Sequence, residues 1–218
     1  MKRIAFFGGS FDPVHNAHLR IAQKLPELFM LDEFNFVPAF HAPHKPDMRP
    51  LSAYHRFAML GVATQHEDDI RVSTIELDAP EKPYTVETAA KLLDEFSDAQ
   101  LFFVIGADSW RDITTWRDWE NLLRMASFIV VERPGVEIGF AHVGAVNERV
   151  IDLRNMSDIQ IAAKISGLDE ARIYFTDAVK LDVSATEIRR QIQENAIDRY
   201  ADVPAEVAKY IEKYQIYK

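Results

Sequence analysis

Short apolar runs of strand length alternate with longer segments of helical period along most of the chain. The runs fall at 4–7, 34–37, 70–77, 101–105, 128–131 and 173–175; the helical segments fall at about 16–25, 52–65, 85–96, 112–125, 157–166, 184–194 and 204–214. A strand that feeds a helix and then another strand makes a crossover, so neighbouring strands run parallel and the helices cover the sheet. The expected fold is α/β: a Rossmann-like, doubly wound, mostly parallel sheet with helices on both faces. At 218 residues the chain reads as one domain, 1–218, with its last helices (about 184–218) packed at the C-terminal side.

Local signals mark several element ends. Ser52 precedes the periodic SAYHRFAMLGVA as an N-cap, Pro26 limits the first helix, and Pro204 stands early in the last one. PAFHAPHKPDMRP, which follows Val37, carries four prolines and reads as a loop. The weakly periodic 134–155 reads as a connection with room for one added strand.

Composition narrows the class. No cysteine occurs, which excludes disulfide frameworks, thiolate zinc sites and cysteine nucleophiles, and fits a reducing cytosol. The 25 Lys and Arg against 34 Asp and Glu give a net charge of -9, an unfavourable balance for a nucleic acid polymer. No apolar run nears the roughly 20 residues of a membrane span, and the apolar run after Lys2 and Arg3 is too short for a signal peptide. A soluble cytoplasmic protein that grips a small anion locally, without a membrane partner, is the expectation; the oligomeric state is not legible.

GGSFDPVHNAHL, at the end of the first strand, is the richest stretch. In an open α/β sheet the first strand-to-helix turn is a favoured phosphate site, because backbone N–H groups and the helix dipole converge there. Gly8 and Gly9 allow close backbone approach. Neither the G-x-G-x-x-G fingerprint nor the Walker lysine is present, so positive charge must come from elsewhere. His15 and His18, three apart at a helix start, share a face and can both donate to phosphate oxygens. Taken alone, this motif reads rather as an ordinary strand-ending turn with two surface or core-edge histidines. A metal site on His15, His18 and His41 or His44 lacks the H-E-x-x-H or thiolate spacings that zinc sites use.

A second motif, IYFTDAVKLDVSATEIRRQI, runs from a strand through a loop into a helix opened by Ser184, with Glu187 at capping-box spacing. Free N–H groups, the hydroxyls of Ser184 and Thr186, and Arg189 one turn on also make a second anion site. Two such sites on one sheet suggest a triphosphate spanning them.

GGSFDPVHNAHL and SATEIR resemble the paired signatures of the nucleotidyltransferase α/β-phosphodiesterase superfamily. VPAFHAPHKP, LSAYHRFAML, PYTVETAAKL, FVIGADSWRDITTWRDWENLL and FIVVERPG, in that order, resemble the bacterial nicotinate-nucleotide adenylyltransferases. The resemblance runs from Arg3 to about Gln191. It departs at Ala17, where the family usually has Gly, and at Ala185, where it usually has Ser.

The resemblance implies an adenylyltransferase that joins nicotinate mononucleotide to the AMP moiety of ATP, giving deamido-NAD and pyrophosphate. It implies catalytic roles for His18, His15 and Arg189, and ATP contacts from Gly8, Gly9, Ser10, Phe11, Gly106, Asp108, Ser184 and Thr186. Mg²⁺ would be held mainly through the ATP phosphates, with no protein ligand assigned. Trp116 is implied as the stacker of the pyridine ring, with Lys45, Tyr84, Thr85 and Arg133 as further acceptor contacts. Asp108 also reads as a helix cap, Lys45 as a solvated loop lysine and Arg133 as a surface arginine. Two rivals are a sister enzyme acting on nicotinamide mononucleotide or phosphopantetheine, and a nucleotide-binding regulator without chemistry.

Overall fold

Alternate residues of β1 (Lys2–Gly9) serve two different cores, with Ala5 and Phe7 on one face and Ile4 and Phe6 on the other. A strand buried on both faces reads as a continuous apolar run, and this one lies inside a parallel sheet. The structure, a computed structural model, describes residues 1–40, 51–79, 83–135, 138–167 and 170–218. Seven strands, all parallel, form one sheet in the order β3-β2-β1-β4-β5-β7-β6: β2 (Glu33–Pro38), β3 (Ile70–Val72), β4 (Ala99–Gly106), β5 (Ser127–Val131), β6 (Val150–Asp152) and β7 (Ile173–Thr176). Phe7 pairs with Phe36 of β2 on one side and Val104 of β4 on the other.

One face is covered by α1 (Asn16–Phe29), α2 (Ala53–Ala63), α6 (Asp158–Ile165), α7 (Ala185–Gln193) and α8 (Ala205–Tyr214), through residues such as Leu25, Leu60, Ile161, Ile188 and Val207. The other is covered by α3 (Thr85–Glu95), α4 (Ala107–Arg111) and α5 (Trp119–Met125), through Leu92, Trp110 and Leu122. No helix among the described residues is long and apolar enough to cross a membrane.

Several expectations are corrected. Pro26 lies inside α1, which runs on to Phe29 and stops at Met30 in the left-handed region (φ 50). An interior proline costs about 3 kcal/mol, but the turn beyond it buries Leu28 and Phe29, each worth about 1.5–3 kcal/mol. The strand expected over 70–77 pairs only at Ile70–Val72; Ser73 still donates to the Phe36 carbonyl, but Pro38 brings no N–H to continue the ladder. The helix expected over 112–125 is two pieces, a 3₁₀ turn at Ile113–Thr115 and α5, and α4 precedes it as a separate short helix. Extended Trp116 (ψ 145) and left-handed Asp118 (φ 50) break it. β6 is the added strand of the 134–155 connection. Ser52 precedes α2 without a side-chain capping bond.

The strand order places the topological switch between β1 and β4, whose carboxyl ends are Gly9 and Gly106. Ligands of doubly wound sheets bind at that crevice.

Candidate active site

At the end of β1, Gly9 is glycine for a packing reason. The buried Phe11 ring folds back over it, and a Cβ there would lie 2.9 Å from Phe11 Cζ. A Cβ on Gly8 would meet nothing within 4 Å, so that position opens into space. Phe11, itself left-handed (φ 49), sets its ring edge-on to Phe7, Phe36 and His18, with centroids 5.4, 5.2 and 4.9 Å away.

The H-x-x-H spacing has a structural cause as well. His15 is the N-cap of α1, and its backbone N–H donates to His18 Nδ1 at 3.3 Å. His18 thus takes the place of the Glu or Gln that reaches back in a capping box. The two rings stack at 3.6 Å and 19°. Because His18 Nδ1 accepts, the neutral ring carries its proton on Nε2 as a donor. Burial, then the nearby Arg133 charge, lowers the His15 pKa to about 4. Burial, then His15, holds His18 well below its usual value. Both imidazoles are neutral near pH 7. His15 Nδ1 is buried with no hydrogen-bond partner among the described residues, an arrangement that folded chains keep rarely and often at functional sites.

The second motif meets the first. Arg189 of α7 donates through Nη1 to the Asp12 carbonyl at 2.6 Å and through Nη2 to Thr186 Oγ1 at 3.2 Å. Ser184 is the N-cap of α7, but the capping box expected with Glu187 is absent. Glu187 is instead taken by Arg190, at 2.5 and 2.9 Å, and by Gln191 at 3.0 Å. That leaves the Ser184 hydroxyl outside the capping of its own helix.

These groups border a cleft of about 510 Å³ over the carboxyl ends of β1 and β4, within the usual range for small-ligand sites. Its wall takes in the sequence-derived candidates Gly8, Gly9, Ser10, Phe11, His15, His18, Tyr84, Thr85, Gly106, Asp108, Trp116, Arg133, Ser184, Thr186 and Arg189. Lys45 lies outside the described residues. Ala17 and Ala185, the two departures, also line the cleft.

Individual positions differ from expectation. Gly106, not Asp108, is the N-cap of α4; Asp108 sits in the first turn, its side chain 61% exposed and 3.3 Å from Arg111. The N–H of Tyr84, one of the expected acceptor contacts, already donates to Glu87 Oε2 at 3.0 Å. Thr85, the first residue of α3, keeps an N–H that its own helix cannot satisfy. Arg133 forks onto Asp182 at 2.7 and 2.9 Å. Of the three tryptophans, Trp110 is wholly buried, whereas Trp116 faces the cleft.

Three residues of this region went unread in the sequence. Arg56, 1% exposed, donates to the carbonyls of Ser10, Ala39 and Leu51, tying the β1–α1 loop to the end of β2 and the start of α2. Its signal is legible in hindsight, for it occupies the apolar stripe of α2 with Ala53, Met59 and Leu60. Glu76 lines the cleft, accepts from Thr88 Oγ1 at 3.3 Å, and is pushed up by burial. Asp12 is 6% exposed and lies at the centre of the network around the β1–α1 loop.

Among the described residues no three His, Asp or Glu side chains cluster as metal ligands do. The groups around the His15–His18 pair and the start of α7 are hydroxyls, imidazoles, a guanidinium and backbone N–H, which suit an anion rather than a hard cation.

The profile of the cytidylyltransferase-like family matches residues 6–191. A protein of Citrifermentans bemidjiense, named "Probable nicotinate-nucleotide adenylyltransferase", is 34% identical over 99% of this chain and 98% of its own. A Thermus thermophilus protein of the same name is 35% identical over 99% and 100%. Among solved structures, the Plasmodium falciparum nicotinic acid mononucleotide adenylyltransferase complexed with NaAD superposes with a TM-score of 0.73 at 22% identity, covering 100% of this chain and 98% of that one. At that identity the likeness is one of fold.

Proposed function

This chain belongs to the cytidylyltransferase-like family and, within it, to the nicotinate-nucleotide adenylyltransferases, and on that premise we infer its reaction and the parts that carry it. The enzyme joins nicotinate mononucleotide to the AMP moiety of ATP. A 5′-phosphate oxygen of the mononucleotide attacks the α-phosphorus of ATP, the bond to the β-phosphate bridging oxygen breaks, and pyrophosphate leaves with that electron pair. Deamido-NAD is the product, a step in NAD biosynthesis.

The nucleophile is already an anion, so no general base is required, and the protein's work is alignment and charge stabilisation. The observation that carries this reading is the meeting of the two motifs: Arg189 bonded to the Asp12 carbonyl sets the α7 N-terminus beside the His15–His18 pair. In this reading His18, through its Nε2 proton, stabilises the transferring α-phosphoryl group, and His15 supports the adjoining phosphate. Ser184, Thr186 and Arg189 hold the β/γ end that departs. Gly8, Gly9, Ser10 and Phe11 shape the floor for the phosphates, and Gly106 and Asp108 face the ribose. Trp116 stacks on the pyridine ring, with Thr85 N–H for the carboxylate and Arg133 for the mononucleotide phosphate. Tyr84 contributes its ring, since its N–H is committed, and Lys45 remains a proposed acceptor contact.

The divalent ion enters as part of the substrate, Mg-ATP, where it neutralises phosphate charge. With no cysteine in 218 residues, we place the activity in the reducing cytoplasm.

An acceptor panel tests the assignment. Pyrophosphate release from Mg-ATP should be rapid with nicotinate mononucleotide and slower with nicotinamide mononucleotide or phosphopantetheine. Faster release with phosphopantetheine would make the chain a sister enzyme, and ATP binding without release from any acceptor would make it a regulator.

A further inference from the structure

Asp12 and Tyr217 lie 205 residues apart, yet the Tyr217 hydroxyl donates to Asp12 Oδ1 at 2.5 Å. The other carboxylate oxygen accepts from the Leu51 backbone N–H at 3.4 Å, and the Asp12 carbonyl accepts from Arg189. A buried carboxylate is retained only where donors replace its water. Here the donors come from Leu51, just before α2, and from Tyr217, just after α8, while α7 holds the backbone.

The C-terminal segment is shaped to make that delivery. After α8 the chain turns at Gln215 (φ 56), buries Ile216 to 5% exposure, and turns again at Tyr217 (φ 63). The Ile216 N–H donates to the Ile211 carbonyl at 3.0 Å, closing the helix end. Left-handed backbone is disfavoured for a bulky residue and persists only when its surroundings fix it. The turn before α8 also reaches the start of α1: the Asp202 carbonyl accepts from the Asn16 N–H at 2.9 Å, and the Ala201 carbonyl from Asn16 Nδ2 at 3.4 Å. Farther along, Tyr210 of α8 hydrogen-bonds His55 of α2 at 2.9 Å.

We infer that Tyr217 is a positioning residue for the phosphate-binding loop: through Asp12 it fixes the backbone between Gly9 and His15 in the form that receives ATP. The inference rests on reading the cleft as the ATP site. Tyr217 is not part of the cleft wall and acts through Asp12, which is. Burial, followed by the Asp12 charge, raises its hydroxyl far above the usual tyrosine value, so it stays a donor at neutral pH.

Tyr217→Phe keeps the ring and deletes the donor. Amide hydrogen exchange in 8–16 should quicken while β4 and β5 keep their protection. The KM for Mg-ATP should rise roughly tenfold, the scale of one hydrogen bond to a charged group, with the KM for nicotinate mononucleotide within about twofold of wild type. Asp12→Asn, which retains an acceptor for the hydroxyl, should fall between wild type and Tyr217→Phe. Wild-type exchange in 8–16 with an unchanged KM for ATP overturns the inference. So does protection lost evenly across the sheet, or an equal rise in both KM values, since either marks only general stability. A wild-type protein inactive with nicotinate mononucleotide would defeat the reaction assignment instead, and the exchange comparison would still decide the role of Tyr217.

Discussion

His15 and His18 do two jobs with one spacing. Three residues apart at a helix start, they close a capping box and stack their rings over the cleft. Keeping them neutral has a consequence for stability. A histidine whose pKa falls from 6.5 unfolded to about 4 folded binds fewer protons in the folded state between those values. Its stabilising contribution is complete above pH 6.5 and is lost as pH falls towards 4, on the order of 3 kcal/mol for His15. The urea midpoint should therefore drop between pH 7 and pH 4.5, and His15→Gln should flatten the profile. An unaltered slope in that variant would remove His15 as the titrating group. The neighbouring Trp116 gives a kinetic prediction: Trp116→Ala should raise the KM for nicotinate mononucleotide at least tenfold, the scale of a lost ring-stacking contact, and leave that for ATP nearly unchanged. Equal effects on both would exclude it as the stacker. Motif residues were legible in the sequence because their types and spacing carry chemistry. Asp12 and Tyr217 were not, because their partners are remote in the chain and no local period announces them; Arg56 showed only as a charge within the apolar stripe of α2.

At the scale of elements, the strands of the sheet's interior were readable because burial on both faces leaves unbroken apolar runs such as FIVV of β5. The edges were not. β3 stops where its neighbour reaches Pro38, and β6 is only three half-buried residues long. Apolar period suggested one helix over 112–125, but extended Trp116, which lines the cleft, and left-handed Asp118, a residue type that tolerates that region, separate the 3₁₀ turn from α5. The two glycines closing β1 make separable demands. Gly9→Ala presses a methyl into the Phe11 ring, which packs against His18, so it should lower the melting temperature by several degrees. Gly8→Ala meets no protein atom and should keep the wild-type melting temperature while weakening ATP binding. Equal melting temperatures for the two variants would contradict this division.

For the whole molecule, sheet order matters more than any one motif. The order β3-β2-β1-β4-β5-β7-β6 brings a crevice to β1 and β4, and the loop leaving β7 starts α7 at the same end of the sheet. The alternation of elements made this layout legible, and the family resemblance supplied the chemistry. What neither supplied is how the chain's end completes its beginning, with α8 and Tyr217 bracing the loop that the first strand opens. We propose that residues 1–218 behave as one domain for that reason. The most direct test of the catalytic assignment is the turnover of His18→Ala with Mg-ATP and nicotinate mononucleotide, its fold checked by circular dichroism. Loss of one donor to the developing charge predicts a fall in kcat of roughly 100- to 1,000-fold. Near-wild-type turnover from a folded variant would contradict the account.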